Sequence, residues 1–406
     1  MKSEPASFPI SGTPVPKGEI DRRIRALQSF LVEQDLDGAL LLQNTDLYYF
    51  AGTVQQSHLY VPSDGLPVLM VRKSHARARA ESPLEHVVPL ESPKALIEIL
   101  EDHGISRPGR LAMELDVLPA NLYFSYARLL EPATILDGSH GIRCIRSIKS
   151  QWECDRIREA ARRSDRLAAH VREILREGIP EIELAGLLEA KARALGHQGV
   201  VRMRMFGGEM FYGHLMAGPS AALPSFLASP TGGPGVNPGI AQGAGFRPVG
   251  RGEPVLVDYV FAYDGYLSDE TRIFSVGELP SSLRRAHAKM LDIQETVREA
   301  GRPGVAAGAL YEIAHKRATE LGVSDHFMGV GPGRIRFIGH GVGLELDEYP
   351  FLAKGQDMPL AEGMIIALEP KLILPGVGVV GIENTHVVGP NGLESLTRAD
   401  EEIAVV

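Results

Sequence analysis

Four acidic residues in this 406-residue chain stand in apolar surroundings where acids are normally out of place. Asp258 lies in Val255-Leu256-Val257-Asp258-Tyr259-Val260-Phe261 and Asp269 ends Tyr266-Leu267-Ser268-Asp269, two strand-like runs on either side of Asp264-Gly265, the strongest kind of short hairpin signal. A two-residue turn sets Tyr263 against Tyr266. Counting back along both strands places Asp258 opposite Thr271, with Asp269 diagonal to it on the same face. A second hairpin follows from a three-residue turn at Pro375-Gly376-Val377, which opposes Leu374 to Gly378 and Glu369 to Glu383. Glu369 follows Ile366-Ala367-Leu368 and Glu383 follows Val379-Val380-Gly381-Ile382, so both ride on strands that otherwise read as buried.

Like charges opposed in a buried sheet destabilise it unless protons or cations neutralise them. The resolutions are a proton-sharing carboxylate pair or a metal site, and spacing alone also allows exposed carboxylates on strand edges. Four acids favour metal. Two divalent cations would balance four carboxylates, and bridging carboxylates hold such pairs about 3.5–4 Å apart, where both ions polarise one water or hydroxide. His340, in Phe337-Ile338-Gly339-His340-Gly341-Val342-Gly343-Leu344, would complete the set, because the glycines let backbone crowd an imidazole ligand. Taken alone, His340 reads equally as a core histidine. Carboxylates with one imidazole suit Mn²⁺, Fe²⁺, Co²⁺ and Zn²⁺ alike.

The elements that must position these residues follow from periodicity. Ile20, Ile24, Leu27, Leu31 and Val32 fall at helical spacing and precede the apolar run Ala39-Leu40-Leu41-Leu42. The alternation continues with strands near 66–72, 86–90, 110–115 and 133–136 and helices near 94–103 and 119–130, which is α/β patterning over residues 1–147. Residues 150–177 and a segment opened by Pro180 and running to about Leu195 read as two long helices. The remainder mixes strands (254–262, 266–275, 364–373, 379–388) with helices (281–300, 306–321), giving an α+β second domain over 148–406. Between Gly218 and Gly250, 14 of 33 positions are Gly or Pro and Arg247 is the only charge, so a long loop lying against something is expected.

Composition sets the outer limits. With 42 basic and 51 acidic residues the formal charge is −9, which argues against a nucleic-acid surface. Cys144 and Cys154 read as the reduced thiols of a cytoplasmic protein. Residues 1–18 hold no apolar leader core, and no uncharged run reaches the ~20 residues needed to span a bilayer. The literal G-x-G-x-x-G at Gly376 to Gly381 leads into a strand rather than a helix, so a nucleotide site is not expected there.

Taken together, Asp258 and Asp269, His340 in Gly-His-Gly-Val-Gly-Leu, Glu369 in Leu-Glu-Pro and Glu383 in Gly-Ile-Glu-Asn-Thr resemble the dinuclear metal site of the pita-bread-fold metallopeptidases. That family includes Xaa-Pro dipeptidase (prolidase), aminopeptidase P, methionine aminopeptidase and creatinase. Gln34-Asp35-Leu36-Asp37-Gly38 leading into Ala39-Leu40-Leu41 is similar to the start of the creatinase/prolidase N-terminal domain, and Ile145-Arg146-Ser147-Ile148-Lys149-Ser150 to its domain junction. The resemblance implies a creatinase/prolidase-type α/β N-terminal domain at 1–147 and a pita-bread α+β domain at 148–406. It implies that Asp258 chelates one metal, that Asp269 and Glu383 bridge, and that His340 and Glu369 hold the second. Glu369 would also shuttle the proton of a metal-bound hydroxide attacking a peptide or amide carbonyl. The resemblance also implies a homodimer acting on small peptide or small-molecule substrates, while the composition gives the expectation of a cytoplasmic protein with neither membrane nor nucleic acid as partner.

Departures from the pattern concern recognition. Ser225, after Ala222-Leu223-Pro224, stands where these enzymes carry a substrate-binding histidine, and Asp347 where another follows the metal histidine. Gly381 replaces an arginine and Arg336 a histidine. Ser225, Arg336 and Asp347, with Tyr212 and His214 beside the glycine-proline loop, are therefore the candidate substrate residues, and Arg247 could join them. Xaa-Pro cleavage competes here with a small non-peptide substrate, in creatinase-like or lyase chemistry. A non-catalytic binding module is a third reading, disfavoured because a scaffold does not need four carboxylates aimed at one point.

Overall fold

Four buried residues, Gly38–Leu41, form the strand around which the first part of the chain is built. The computed structural model describes residues 12–209 and 212–406, so most of the 1–18 segment lies outside the described residues. The chain divides into two compact units between Arg146 and Ser147. In order, the first holds α1 (Lys17–Glu33), β1 (Gly38–Leu41), α2 (Asn44–Ala51), β2 (Ser57–Pro62), β3 (Val68–Val71), α3 (His75–Glu81), β4 (His86–Pro89), α4 (Leu96–Asp102), β5 (Arg110–Met113), α5 (Ala120–Leu129) and β6 (Thr134–Asp137), with α6 (Ser139–Ser147) closing it. These strands make one six-stranded sheet in the order β4-β3-β2-β1-β5-β6. The sheet is mixed, since β1 runs antiparallel to β2 but parallel to β5. The helical stripe of α1 is the one its spacing predicts: Ile20, Ile24, Leu27 and Leu31 are buried, while Val32 is exposed.

The second unit opens with α7 (Gln151–Ile174), started by a capping box in which Ser150 and Glu153 satisfy each other's backbone N–H groups. After α8 (Glu181–Ala194) come β7 (Gly213–Ala217), β8 (Val255–Tyr263), β9 (Tyr266–Ser275), α9 (Ser281–Ala300) and α10 (Ala307–Glu320). Then follow β10 (Phe337–Gly341), β11 (Glu348–Ala353), β12 (Ile365–Leu368), β13 (Lys371–Leu374), β14 (Gly378–Gly381), β15 (Asn384–Gly389), β16 (Gly392–Ser395) and β17 (Ala404–Val405). They form sheets β17-β9-β8-β7 and β11-β10-β12-β15-β16 and a two-stranded β13-β14 ribbon. Each larger sheet is covered by a helix pair. Leu167 and Val171 of α7 and Leu184 and Leu188 of α8 share a core with Val257 and Phe261, while Ile293 of α9 and Leu310 of α10 pack with Ile338, Ile366 and Val388.

Both hairpin registers come out as counted. Asp258 faces Thr271, and the β8–β9 turn has Asp264 and Gly265 at φ 51° and 90°, the left-handed pair a tight hairpin requires. In the second hairpin Leu374 faces Gly378 and Leu368 faces Asn384. One expectation is corrected. The strands predicted over 364–373 and 379–388 are each broken in the middle, and Glu369 and Glu383 stand in the breaks rather than inside a continuous ladder. Pro370 has no N–H to donate, so pairing lapses where the acids sit.

One buried histidine links the first unit's packing to pH. His58 on β2 meets the Tyr126 hydroxyl of α5, and burial, then the nearby Arg72 charge, lowers its pKa to about 4. The unfolded chain protonates this ring near 6.5 and the folded chain only near 4, so its stabilisation is complete above pH 6.5 and declines as pH falls towards 4. The slope reaches ~1.4 kcal/mol per pH unit for one such residue. In urea midpoints measured from pH 7 to 4, His58→Gln is expected to flatten this acid limb; an unchanged slope would show that His58 does not contribute to it.

Candidate functional site

The candidate site is built from the two hairpins and the strand carrying His340. On β8, Asp258 is in register with His214 of β7 on one side and Thr271 of β9 on the other. Asp269 is pinned by Thr385 of β15, whose hydroxyl accepts from its N–H at 2.8 Å and lies 2.8 Å from its carbonyl. Glu383 forms an isolated bridge with Thr271, and the Thr271 hydroxyl donates to Glu383 Oε2 at 2.8 Å. Beneath it the buried Arg272 guanidinium donates to the Glu383 carbonyl at 2.9 Å and to Asn384 Oδ1 at 2.8 Å, which ties β9 to the second hairpin. The Glu369 N–H is held by the Ile338 carbonyl at 2.9 Å, so this acid enters beside His340.

His340 is oriented from behind. Its Nδ1 lies 2.9 Å from the Leu346 carbonyl and 3.1 Å from that of Gly341, contacts that require a proton on Nδ1 and turn Nε2 towards the acids. Nε2 stands 3.9 Å from Asp269 Oδ2 and 3.8 Å from Glu369 Oε1. The flanking glycines allow this: a Cβ on Gly339 would come within 2.3 Å of the Ala367 carbonyl, and one on Gly341 within 2.2 Å of the Tyr349 carbonyl. Asp269, His340 and Glu383, all buried, each offer one ligand atom, and these atoms lie within 4.8 Å of one another. Donors bound to one ion at about 2.0–2.2 Å lie up to about 4.4 Å apart; His340 Nε2 and Asp269 Oδ2, 3.9 Å apart, are within that reach, and a small side-chain shift would bring the whole set onto a single divalent ion.

The electrostatics follow from crowding. Burial raises the Asp269 pKa well above the carboxylate range, and Glu383 and Asp258 push it further. Burial also lifts Glu383 to about 8, against the lowering effect of Lys371. For His340 burial works towards the neutral ring, but Asp347, Glu369 and Glu383 outweigh it and the pKa rises. The three groups that could share an ion thus compete for protons in its absence.

Lys371 is the residue that the sequence motifs do not single out. Its side chain is 1% exposed, and Nζ lies 2.8 Å from Glu369 Oε2, 2.8 Å from Glu383 Oε2 and 3.2 Å from Asp258 Oδ2. Burial alone would favour the neutral amine, yet the Asp258, Glu369 and Glu383 charges raise its pKa well above the ordinary lysine value. A signal is present: in the continuous strand that the sequence predicts over 364–373, residues two apart share a face, which puts Lys371 beside Glu369.

The carboxylates floor a cavity of about 150 Å³ whose walls include Met203, Phe226, Leu227 and Phe337. Of the candidate substrate residues, His214 and Asp347 line it. His214 is buried next to Thr231 and Gln242, at 3.1 and 3.5 Å, and burial lowers its pKa. Asp347 Oδ1 is 3.9 Å from His340 Nδ1. Tyr212, Ser225 and Arg336 are not brought to the cavity wall: Tyr212 packs on the His197 ring, the Ser225 hydroxyl accepts from the Leu227 N–H, and Arg336 is exposed. Arg247 instead pairs with Glu253 at 2.6 Å.

The loop from Gly218 to Gly250 supplies Phe226 to Ser229 to the wall. It folds back on itself through Gly233 N–H to Leu223 carbonyl and Gly243 N–H to Gly232 carbonyl bonds. Glu181 clamps its base, accepting from Ala217 N–H at 2.9 Å and Gly245 N–H at 3.0 Å from a fully buried position. Glu181→Ala orphans both donors and is expected to cost about 2–5 kcal/mol, read as a urea midpoint shift with faster amide exchange at Ala217 and Gly245. Unchanged exchange at both amides would show that the loop is held by other contacts.

Comparison with known proteins finds matches for both units of the chain. Residues 155–390 match the model of metallopeptidase family M24, and residues 23–148 that of the creatinase/prolidase N-terminal domain. A Xaa-Pro dipeptidase of Pyrococcus furiosus is 28% identical over 386 residues, covering 94% of this chain and 99% of the relative. Among solved structures, a prolidase from Pyrococcus furiosus aligns with TM-score 0.74 at 27% identity over 92% of this chain and all of its own. A Xaa-Pro dipeptidase from Bacillus anthracis shares the fold with TM-score 0.81 at 23% identity, over 95% of this chain and 100% of that one.

Proposed function

The chain belongs to metallopeptidase family M24, and from that premise we propose that it is a metal-dependent hydrolase cleaving the peptide bond of small Xaa-Pro-type peptides. The observation that carries this reading is the convergence of Asp269, His340 and Glu383 with Glu369 at the floor of one cavity. A divalent ion, Mn²⁺, Co²⁺, Fe²⁺ or Zn²⁺, held by Asp269, His340 and Glu383 would supply Lewis acidity, acidifying water and polarising the substrate carbonyl. The chain's own groups do the rest. Lys371 holds Glu369 Oε2, leaving Oε1 on the His340 side to take the proton of the attacking water. As the carbon–oxygen bond forms and the carbon–nitrogen bond breaks, Glu369 returns that proton to the departing nitrogen. The apolar walls accept the substrate's side chains and exclude bulk water.

Relatives named Xaa-Pro dipeptidase support a dipeptide-sized substrate. A second reading, a small non-peptide amide, is favoured by one observation. Among the described residues lining the cavity no arginine is found, and the ammonium of Lys371 already faces three carboxylates, so a substrate carboxylate has no evident cationic partner. The homodimer carried by the family resemblance and the cytoplasmic setting expected from composition belong to the proposal; among the described residues no helix is long and apolar enough to cross a membrane.

The test is hydrolysis of a panel of Xaa-Pro dipeptides, tripeptides and small amides by protein stripped of metal and reloaded with Mn²⁺, Co²⁺ or Zn²⁺. Activity is expected only after reloading, and Glu369→Gln is expected to lower kcat on the order of 10²–10⁴-fold. Full activity in the stripped protein, or an undiminished kcat in Glu369→Gln, would overturn the reading.

A further inference from the structure

We propose that the Lys371 ammonium is a built-in replacement for one of the two cations that this carboxylate cluster calls for, so that the site takes one divalent ion per chain. The inference rests on the metal-dependent reading above and replaces the two-ion expectation. Its geometry is direct: Nζ has three protons, and three carboxylate oxygens from Asp258, Glu369 and Glu383 surround it at 3.2, 2.8 and 2.8 Å. A second ion would have to take its ligands from these same carboxylates, directly beside the ammonium. Asp258, the acid assigned by resemblance to one metal alone, is absent from the Asp269–His340–Glu383 group and has the lysine as its partner.

Charge points the same way. Four carboxylates carry four negative charges, which two divalent ions would cancel. With Lys371 present, one divalent ion leaves the group at one negative charge and two leave it at one positive charge, and the second ion would stand against the ammonium, forcing like charges together in a buried pocket.

The backbone is shaped for this arrangement. Lys371 heads β13, where the Met328 N–H donates to its carbonyl at 2.9 Å, and it faces Gly381 across the ribbon. A Cβ on Gly381 would lie 2.7 Å from Lys371 Cα and 2.9 Å from its Cγ, so the lysine stem occupies the space a side chain there would need. The departure at Gly381, where the resemblance leads one to expect an arginine, and the lysine opposite it are therefore one structural feature: a cation delivered from the facing strand.

The test is ion stoichiometry with Mn²⁺ alone, by titration calorimetry and elemental analysis of the full chain, together with electron paramagnetic resonance of the loaded protein. Wild type is expected to bind one ion with the spectrum of an isolated Mn²⁺. Lys371→Met, which keeps an apolar stem and removes the charge, is expected to bind two ions with a spin-coupled spectrum, and Lys371→Arg to remain at one. Two ions with a coupled spectrum in wild type would overturn the inference while leaving the metal-dependent reading intact. No ion in wild type, with hydrolysis retained, would overturn both. Because the wild-type count decides on its own, a misfolded variant does not protect the proposal.

Discussion

Negative charge buried without enough compensation is the constraint on which the second unit is organised. Asp269, Glu369 and Glu383 are each 6% exposed or less and Asp258 only 13%; the two aspartates sit on strands and the two glutamates in the breaks between strands whose other residues form two apolar cores. Such a group is costly to desolvate unless positive charge and hydrogen bonds meet it. Much of the surrounding structure meets that need: the Thr271 hydroxyl on Glu383, the Arg272 guanidinium tying down the backbone beneath it, the Thr385 hydroxyl fixing Asp269 and, above all, the Lys371 ammonium.

The same constraint explains the local irregularities. The second hairpin loses its ladder at Glu369-Pro370 and Ile382-Glu383 but keeps one register on both sides of the break, so the carboxylates turn inward without a slip that would invert every later side chain. Gly339 and Gly341 allow neighbouring strands to close on His340. The glycine-proline loop, clamped by Glu181, contributes wall residues rather than charge. On the proposed reading chemistry and recognition come from different kinds of sequence: acids on the strands and in their breaks for the first, small and apolar residues on a folded-back loop for the second.

Features of this fold are legible in the sequence where the information that fixes them is local. Turn residues and alternation set both hairpin registers, so Asp258 opposite Thr271 follows from counting residues along the chain. Helices α9 and α10 follow from period alone, to within a residue at either end. The strands of the first unit are evident where apolar runs are long, but β2 and the helix α2 escape that pattern because Ser57, His58, Thr45 and Asp46 are polar residues that the fold buries. Ser225 and Arg336 are candidates because they stand where the resembled family carries histidines, and Tyr212 because it lies beside the loop; the structure does not bring the three to the cavity wall. Lys371 escapes notice because a lysine opening a strand ordinarily reads as solvated. Only its position two residues from Glu369 and opposite Gly381 shows that its charge must be spent inside.

The central claim is that a lysine and one ion together compensate the four acids. The most direct measurement is a crystal structure of the Mn²⁺-loaded protein with anomalous scattering data collected to locate metal. The account predicts one anomalous peak among His340 Nε2, Asp269 and Glu383, with Lys371 Nζ still seated on Asp258, Glu369 and Glu383. Two peaks bridged by Asp269 and Glu383, with the Lys371 side chain displaced from the carboxylates, would contradict it.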